Sequence, residues 1–140
     1  MYNPLLLALS LFLATALTYA LAGDEVDCER AKTTQDAEQC SRQELAASEA
    51  VLDEYLAAAS ERYRDEELIL TGLDGAQKSW LTYRRDHCRA TFALWVGGSI
   101  RGVMMNHCLL QQTRQRTWDV WHTYLTFMDS TPPLLPEPQR

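Results

Sequence analysis

Proline is absent between Asp24 and Ser130, and this absence most constrains the fold of the chain. Residues with high helix propensity fill the interval, and glycine interrupts it in two places, at positions 72–75 and 97–102. Proline breaks helices and glycine weakens them, so the pattern predicts helices separated at the two glycine clusters. We therefore predict an all-α fold, a small bundle of three main helices with a short N-terminal turn.

The first long helix is predicted to begin after a cap at Thr33 or Thr34 and to run to about Arg64. Acidic residues lie in its first turn, where the helix dipole favours them. Side chains that could form an apolar stripe recur at threes and fours along it: Ala37, Cys40, Ala47, Val51, Tyr55, Ala58 and Arg62. Because many of them are small, the stripe predicts close approach of a neighbouring helix.

The glycine clusters bound the two later helices. The first cluster is expected to form a loop, with Asp74 as the cap of a second helix that extends to about Leu94. Ser99 is expected to cap a third helix, from Ile100 to about Phe127. The second and third helices would then form a hairpin around the glycine pair 97–98.

The segment at positions 77–88, QKSWLTYRRDHC, is a candidate structural motif. It places five side chains along one side of the second helix: Gln77, Trp80, Tyr83, Arg84 and Cys88. Trp80 is an apolar anchor, and Arg84 falls on or beside the apolar stripe, where it needs an oxygen partner. We predict pairing of Arg84 with Asp53 or Glu54, or with backbone carbonyls. Aromatic stripes at helical spacing usually belong to a core, so this helix is interpreted as scaffold.

Residues 1–22 have the pattern of a secretory signal peptide. The run from Leu5 to Leu17 is almost wholly apolar, and a small-x-small cleavage site ends at Ala22. The run is short for a membrane anchor, and Asp24 stands where a lipoprotein would have its cysteine. The sequence therefore predicts a periplasmic or secreted protein without a membrane anchor after cleavage.

Four cysteines follow the leader, and an even count in an exported chain implies two disulfides. The count alone allows three connectivities. Cys88 lies nine residues before the glycine pair 97–98 and Cys108 lies ten after it, so the predicted hairpin places them side by side. Cys88–Cys108 is thus the natural pair, and Cys28–Cys40 follows by elimination.

Charge and proline are unevenly distributed. The net charge is −6, with −10 between positions 24 and 75, +6 between 77 and 116, and −2 in the rest. Segments of opposite sign can pack beside one another, although an acidic face could also meet a basic partner. Residues 129–140 hold four of the five prolines and are predicted to form a disordered, extended tail, which leaves residues 23–128 as one helical domain.

Two repeated dipeptides, His87-Cys88 and His107-Cys108, raise the question of a zinc site. Adjacent helical residues diverge by about 100°, and exported thiols pair with each other first, so no metal is expected. No phosphate loop, serine-centred elbow or CxxC motif occurs in the sequence. We expect no catalytic residues and no cofactor. The basic segment lacks interleaved aromatic residues, so nucleic acid is not an expected partner.

The tip of the predicted hairpin, residues 95–101, is the candidate partner-binding site. Trp95, Ser99 and Arg101 combine an aromatic anchor, a hydroxyl and a cation beside flexible glycines. A purely structural interpretation gives Ser99 a helix cap, the glycines a tight turn and Trp95 a packing role.

A set of motif residues spans most of the chain: Cys28, Thr34-Gln35, Cys40, Leu52 with Tyr55, Gln77-x-x-Trp80-x-x-Tyr83-Arg84-x-x-x-Cys88, Gly97-Gly98-Ser99, Cys108, Thr113 and Arg116. Together they resemble the LprI-like lysozyme-inhibitor N-terminal domain family. The chain departs from that family at Ser48 and Asp53, where Asp and Asn are frequent, and it lacks the lipoprotein cysteine of the namesake.

The resemblance implies a helical fold with two disulfides, no enzyme activity and a role as a binding protein. The implied partner is a lysozyme-like muramidase or another envelope protein. The favoured hypothesis is an inhibitor of a peptidoglycan-cleaving enzyme, and the alternative is a structural or stress-related envelope protein.

Overall fold

The computed structural model describes residues 26–140, which form three long helices and two short helical turns. The long helices are α1 (Thr34–Arg62), α2 (Glu67–Leu94) and α3 (Arg101–Val120), and the turns are a 3-10 turn (Cys28–Arg30) and a π-helical turn (Trp121–Leu125). The described residues contain no strand, and the predicted all-α fold with three main helices is confirmed. The expected signal peptide, residues 1–22, lies outside the described part. None of the described helices is long and apolar enough to cross a membrane.

Thr33, one of the two predicted caps, starts α1 and forms a capping box with Asp36. The Thr33 hydroxyl accepts a bond from the Asp36 backbone N–H at 3.0 Å, and the Asp36 carboxylate accepts from the Thr33 N–H at 3.0 Å. The same carboxylate accepts from the Lys32 N–H at 3.1 Å. These bonds satisfy N–H groups that the first turn of a helix leaves unpaired. The backbone bonds from Lys32 and Thr33 hold the pKa of Asp36 below its usual value of 3.8.

This cap makes stability depend on pH in the acid range. Because the folded pKa of Asp36 is depressed, its contribution is complete above the unfolded value and is lost as pH falls through the folded value. We expect Asp36→Asn to lower the Tm slightly at pH 7, and the difference from the wild type to shrink below about pH 4. Asp65→Asn, on an exposed turn, is the control and should leave the Tm unchanged. Thermal unfolding followed by circular dichroism at several pH values checks this. An Asp36→Asn difference that is constant with pH would contradict it.

The apolar core sits at one end of the bundle. Buried side chains from all three helices and the π-helical turn meet there: Leu52, Tyr55, Ala59, Leu73, Val120 and Leu125. α1 and α2 both pack against α3 and make few direct contacts with each other. α1 runs alongside α3 in the same direction, because Asn106 donates to Ser41 Oγ near the start of both helices while Arg62 reaches the Tyr124 carbonyl near their ends. α3 is therefore the central helix.

The first glycine cluster does not form the predicted loop. α2 already begins at Glu67 and continues through Gly72 and Gly75. Leu73 lies buried in the core between the two glycines, and this packing offsets the helix-weakening effect of glycine, which is about 1 kcal/mol per residue. Asp74 is consequently not a cap but bonds Lys78 one turn later, at 2.5 Å.

Both ends of α3 differ from the predicted ones. Ile100, not Ser99, is the N-cap residue, and no side chain caps this end. The regular helix ends at Val120 and widens into the π-helical turn instead of continuing to Phe127. Arg62 stabilises this ending, because its Nη1 donates to the carbonyl oxygens of Tyr124 at 2.6 Å and Thr126 at 3.0 Å.

The buried face of α1 also differs from the predicted stripe. The side chains that it buries are Leu45, Leu52, Tyr55 and Ala59, whereas Val51 is exposed. Burial of a leucine stabilises the fold more than burial of an alanine, so α1 turns its leucines toward α3. Tyr55 is the only one of the predicted stripe residues that is fully buried.

The proline-rich end of the chain forms neither helix nor strand, bends at Leu134–Leu135, and lies against the bundle rather than apart from it. The Leu134 N–H donates to the Leu125 carbonyl at 2.9 Å, and the Tyr55 hydroxyl donates to the Pro136 carbonyl at 2.8 Å. Leu135 packs against the core. Apolar packing and aromatic donors thus hold a segment whose composition alone predicts disorder.

Candidate functional site

The hairpin tip lies at the end of the bundle opposite the core. Three backbone bonds close the turn, including one from the Gly98 N–H to the Trp95 carbonyl at 2.8 Å. Neither tip glycine has a positive φ, so the turn does not require glycine for its backbone conformation. Leu94 and Val96 are 83% and 66% exposed, and Trp95 and Ile100 are also exposed. The tip and the adjoining Leu94 thus expose four large apolar side chains to water, which is typical of a contact surface.

Ser99 and Arg101 present polar groups beside this apolar surface. The Ser99 side chain makes no hydrogen bond within residues 26–140, and it does not cap α3. Arg101 pairs with no carboxylate in the described residues. Its Nη1 donates only to the Val96 carbonyl, at 3.4 Å, and its guanidinium lies 6.0 Å from the centre of the Phe92 ring. A hydroxyl and a cation without strong internal partners are thus available to bind an external group.

Two disulfides brace the tip end of the bundle. Cys88–Cys108 joins α2 to α3, and Cys28–Cys40 ties the 3-10 turn to the start of α1, so the predicted pairing is confirmed. Asn106 adds non-covalent bonds, since its Nδ2 donates to Ser41 Oγ at 2.9 Å and to the Glu38 carbonyl at 3.4 Å. The end of the molecule that carries the exposed tip is therefore held by covalent links, while the opposite end is held by the core.

A close approach between α1 and α3 adds to this bracing. The Glu38 carboxylate lies so near Gly102 that a Cβ atom at that position would clash with it. Glu38 also pairs with Arg42 at 2.6 Å. The atoms that would clash belong to the end of the flexible Glu38 side chain and not to the backbone, so Gly102 leaves room for Glu38 without being required by the helix packing.

The motif of α2 links the helices and does not form a separate site. Arg84 Nη1 donates to Glu49 of α1 at 2.8 Å and to the Thr113 hydroxyl of α3 at 2.8 Å. The predicted pairing with an acid of the first long helix is confirmed, but the candidates Asp53 and Glu54 are wrong, because Arg84 meets the same face of α1 one turn earlier, at Glu49.

The other motif residues have different surroundings. Gln77 accepts a bond from Arg116 Nε at 3.0 Å, and Trp80 packs against the core. Tyr83 is exposed and stacks on His87 with ring centres 5.4 Å apart. Gln77, Trp80 and Arg84 hold α2 against its neighbours, whereas Tyr83 contributes to the surface.

The paired His-Cys dipeptides do not form a metal site in the described residues. Both cysteines are in a disulfide, and His87 stacks on Tyr83. Within residues 26–140, no three or more His, Cys, Asp and Glu side chains are grouped so as to hold a metal ion.

Two features escaped the sequence analysis. The sequence places Arg62 in a stripe of small residues. In the structure its guanidinium donates hydrogen bonds to two carbonyl oxygens and lies 4.1 Å from the centre of the Phe127 ring. The proline-rich end reads as a disordered tail, but Tyr55, Trp118 and Trp121 all bond to it. A signal was present in both places, since a charged residue in an apolar stripe requires a polar partner, and Leu135 of the proline-rich end is an apolar residue that packs against the core.

Comparisons with known proteins identify a family and a relative of this chain. A family model described as "Lysozyme inhibitor LprI" matches residues 27–119. A protein of Rhizobium meliloti (strain 1021), called uncharacterized protein R02472, is 31% identical over 121 residues, which cover 79% of this chain and 87% of that relative. No solved structure matches the chain. The family match includes both disulfides and the hairpin tip, and it ends before the proline-rich segment.

Proposed function

This chain belongs to the lysozyme inhibitor LprI family, and on that premise we propose that it binds and blocks a peptidoglycan-cleaving enzyme of the lysozyme type. The proposed role is non-enzymatic. Two disulfides in a chain of this size indicate an extracytoplasmic location. We further propose that residues 1–22 are a cleaved signal peptide and that the protein acts in the periplasm or after secretion.

The exposed tip is the observation that carries the proposal. It presents Trp95, Ser99 and Arg101 beside the exposed side chains of Leu94 and Val96. Aromatic and arginine side chains dominate the binding energy of many interfaces. The neighbouring disulfides reduce the conformational freedom that the tip would lose on binding, and this favours affinity.

The chemistry of the tip suits the cleft of a glycosidase. Such enzymes place two carboxyl groups on either side of the bond that they cleave. Arg101 would pair with one of these carboxylates through a charge-assisted bond, and the Ser99 hydroxyl would donate to a second acceptor. Leu94 and Val96 would cover the apolar rim and exclude water. Inhibition would then result from occupation of the cleft.

The test is a double variant, Ser99→Ala/Arg101→Ala, in an inhibition assay on a susceptible muramidase. We expect the inhibition constant to rise about thirtyfold or more, since two central contacts are lost. Ser79→Ala/Arg89→Ala removes the same groups from exposed positions in the middle of α2 and serves as the matched control. It should inhibit like the wild type, and circular dichroism establishes that both variants fold.

Two results would contradict this proposal at different levels. Equal inhibition by the folded tip variant and the wild type would show that the tip is not the site, and the exposed acidic residues of α1 would be tested next. A wild-type protein that inhibits no muramidase would favour the alternative role, a structural or stress-related envelope protein.

A further inference from the structure

Three aromatic side chains direct their polar atoms at consecutive residues of the C-terminal segment. Tyr55 Oη donates to the Pro136 carbonyl at 2.8 Å, and Trp121 Nε1 donates to the Leu135 carbonyl at 2.9 Å. Trp118 Nε1 donates to the Glu137 carboxylate at 3.3 Å. We propose that Tyr55, Trp118 and Trp121, here called the aromatic groove, form a recognition site for extended proline-rich peptides, with the chain's own residues 134–138 as the resident ligand. This inference does not depend on the proposed inhibition.

The resident segment has the chemistry that such grooves recognise. Its prolines, at positions 132, 133, 136 and 138, lack N–H groups and fix φ near −65°. A segment of this kind is pre-ordered in an extended form and offers carbonyl acceptors that no strand or helix uses. Aromatic-lined grooves bind proline-rich peptides in this way, because little conformational entropy is lost.

The groove is arranged before any external peptide arrives. The His122 ring stacks on the Trp118 ring with centres 4.7 Å apart, and this contact does not involve the C-terminal segment. The Arg140 guanidinium, which lies 3.9 Å from the Trp118 ring centre, belongs to the segment itself. Burial, followed by the nearby Glu54 carboxylate, raises the pKa of Tyr55 above its usual value. The donor role of its hydroxyl is shown by the bond to the Pro136 carbonyl. Tyr55 and Trp121 also pack in or against the core, which fixes their orientation.

The resident segment is attached to the bundle by a few hydrogen bonds and one apolar side chain, as a bound peptide would be, and not by an extensive helix–helix contact. Residues 128–133, which connect it to the bundle, are all exposed. In the described structure it makes one backbone-to-backbone hydrogen bond with the bundle, from the Leu134 N–H to the Leu125 carbonyl. Leu135 supplies the apolar anchor. An external peptide therefore competes with a tethered ligand whose effective concentration is on the order of millimolar.

The groove also continues along the bundle. A cleft of about 250 Å³ lies between α1 and α3, and Pro138 and Gln139 of the resident segment form part of its wall. The ion pair between Glu44 and Arg114, at 2.7 Å, lies beside it. A longer external peptide would find both apolar and charged contacts there once the resident segment is displaced.

The first test weakens the resident ligand in the full chain. The probe is a fluorescently labelled synthetic peptide with the sequence of residues 131–140, measured by fluorescence anisotropy. We expect Leu135→Ser to bind the probe about tenfold more tightly than the wild type, because its own segment loses the buried anchor. Leu134→Ser makes the same change at the more exposed neighbouring position and should bind like the wild type.

Should Leu135→Ser fail to fold, Glu137→Ala/Arg140→Ala weakens the segment without a change in the core.

The second test removes one donor of the groove. Tyr55→Phe in the Leu135→Ser background keeps the ring but loses the bond to the peptide carbonyl, so probe affinity should fall about fivefold. Tyr83→Phe, at an exposed tyrosine outside the groove, is the matched control. A probe in which alanine replaces every proline should bind more weakly than the original.

Three results would overturn the inference. The first is a folded, tail-weakened variant that binds the probe no better than the wild type. The second is equal binding of the proline-free probe. The third is a wild-type dimer in sedimentation analysis that Tyr55→Phe dissociates, because the groove would then hold the segment of a second copy rather than a foreign peptide.

Discussion

Loss of the Cys88–Cys108 disulfide should lower the free energy of unfolding by about 3 kcal/mol, the loop-entropy value for a separation of 20 residues. Both cysteines are buried between α2 and α3, so Cys88→Ala/Cys108→Ala also removes packed atoms. For a domain of this size, the Tm should fall by more than about 10 °C. Urea unfolding of the exported protein, without reducing agent, measures the change directly.

The second disulfide provides the comparison. Cys28–Cys40 has a sequence separation of 12, so the same entropy estimate is nearly as large, at about 3 kcal/mol. It ties only a 3-10 turn to the start of α1, and neither cysteine is fully buried. We expect Cys28→Ala/Cys40→Ala to lower the free energy of unfolding clearly less than Cys88→Ala/Cys108→Ala does, because the turn can fray without exposing the core. Equal losses for the two pairs would show that packing around Cys88 contributes nothing beyond chain entropy.

Features set by local chemistry or by chain geometry could be predicted from the sequence. The Thr33 capping box depends on residues within one turn. The pairing of Cys88 with Cys108 depends only on their equal distance from a hairpin turn, which is independent of side-chain packing. The number of helices was predicted correctly, although the break between α1 and α2 lies at residues 63–66 and not at the first glycine cluster.

Features set by tertiary packing could not be predicted. Glycine propensity indicates a loop at positions 72–75, but burial of Leu73 between the glycines keeps the chain helical. The partner of Arg84 was predicted one turn too far along α1, because Glu49 and Asp53 lie on the same face and residue spacing alone does not fix the position of α2 along that face. The face that packs is set by Leu45 and Leu52, whose burial stabilises the contact with α3 more than the burial of alanines would.

Part of the candidate site depends on chain geometry and could be predicted, and part depends on tertiary packing and could not. The tip follows from the hairpin, so Trp95, Ser99 and Arg101 could be identified as neighbours. Whether Ser99 caps α3 or stays free depends on where the helix begins, and the start at Arg101 leaves its hydroxyl without a bond in the described structure. The aromatic groove was missed because Tyr55 of α1 lies 63 positions before Trp118 of α3 and 66 before Trp121 of the π-helical turn, and sequence spacing does not show that they meet.

Substitution of Arg84 should have the second largest effect on stability. Its side chain is only 15% exposed, and one nitrogen bonds Glu49 of α1 and Thr113 of α3. The guanidinium also lies 4.8 Å from the centre of the Trp80 ring. Since α1 and α2 otherwise make few contacts, Arg84 is a principal link between them. We expect Arg84→Met to lower the free energy of unfolding by about 2 kcal/mol, the usual range for bonds to a charged group after a reduction for the partly exposed Glu49.

Two further variants identify the cause of that loss. Arg85→Met removes the same charge one residue away, where the side chain is half exposed and, within residues 26–140, pairs only with Asp86, so it should leave the Tm unchanged. Glu49→Gln keeps an acceptor for Arg84 and leaves the bond to Thr113 intact, so its effect should be smaller than that of Arg84→Met. If the ion pair with Glu49 were the whole contribution of Arg84 to stability, Glu49→Gln and Arg84→Met would lower the free energy of unfolding by the same amount. Equal Tm values for the wild type, Arg84→Met and Arg85→Met would instead mean that packing on α3 alone positions α2.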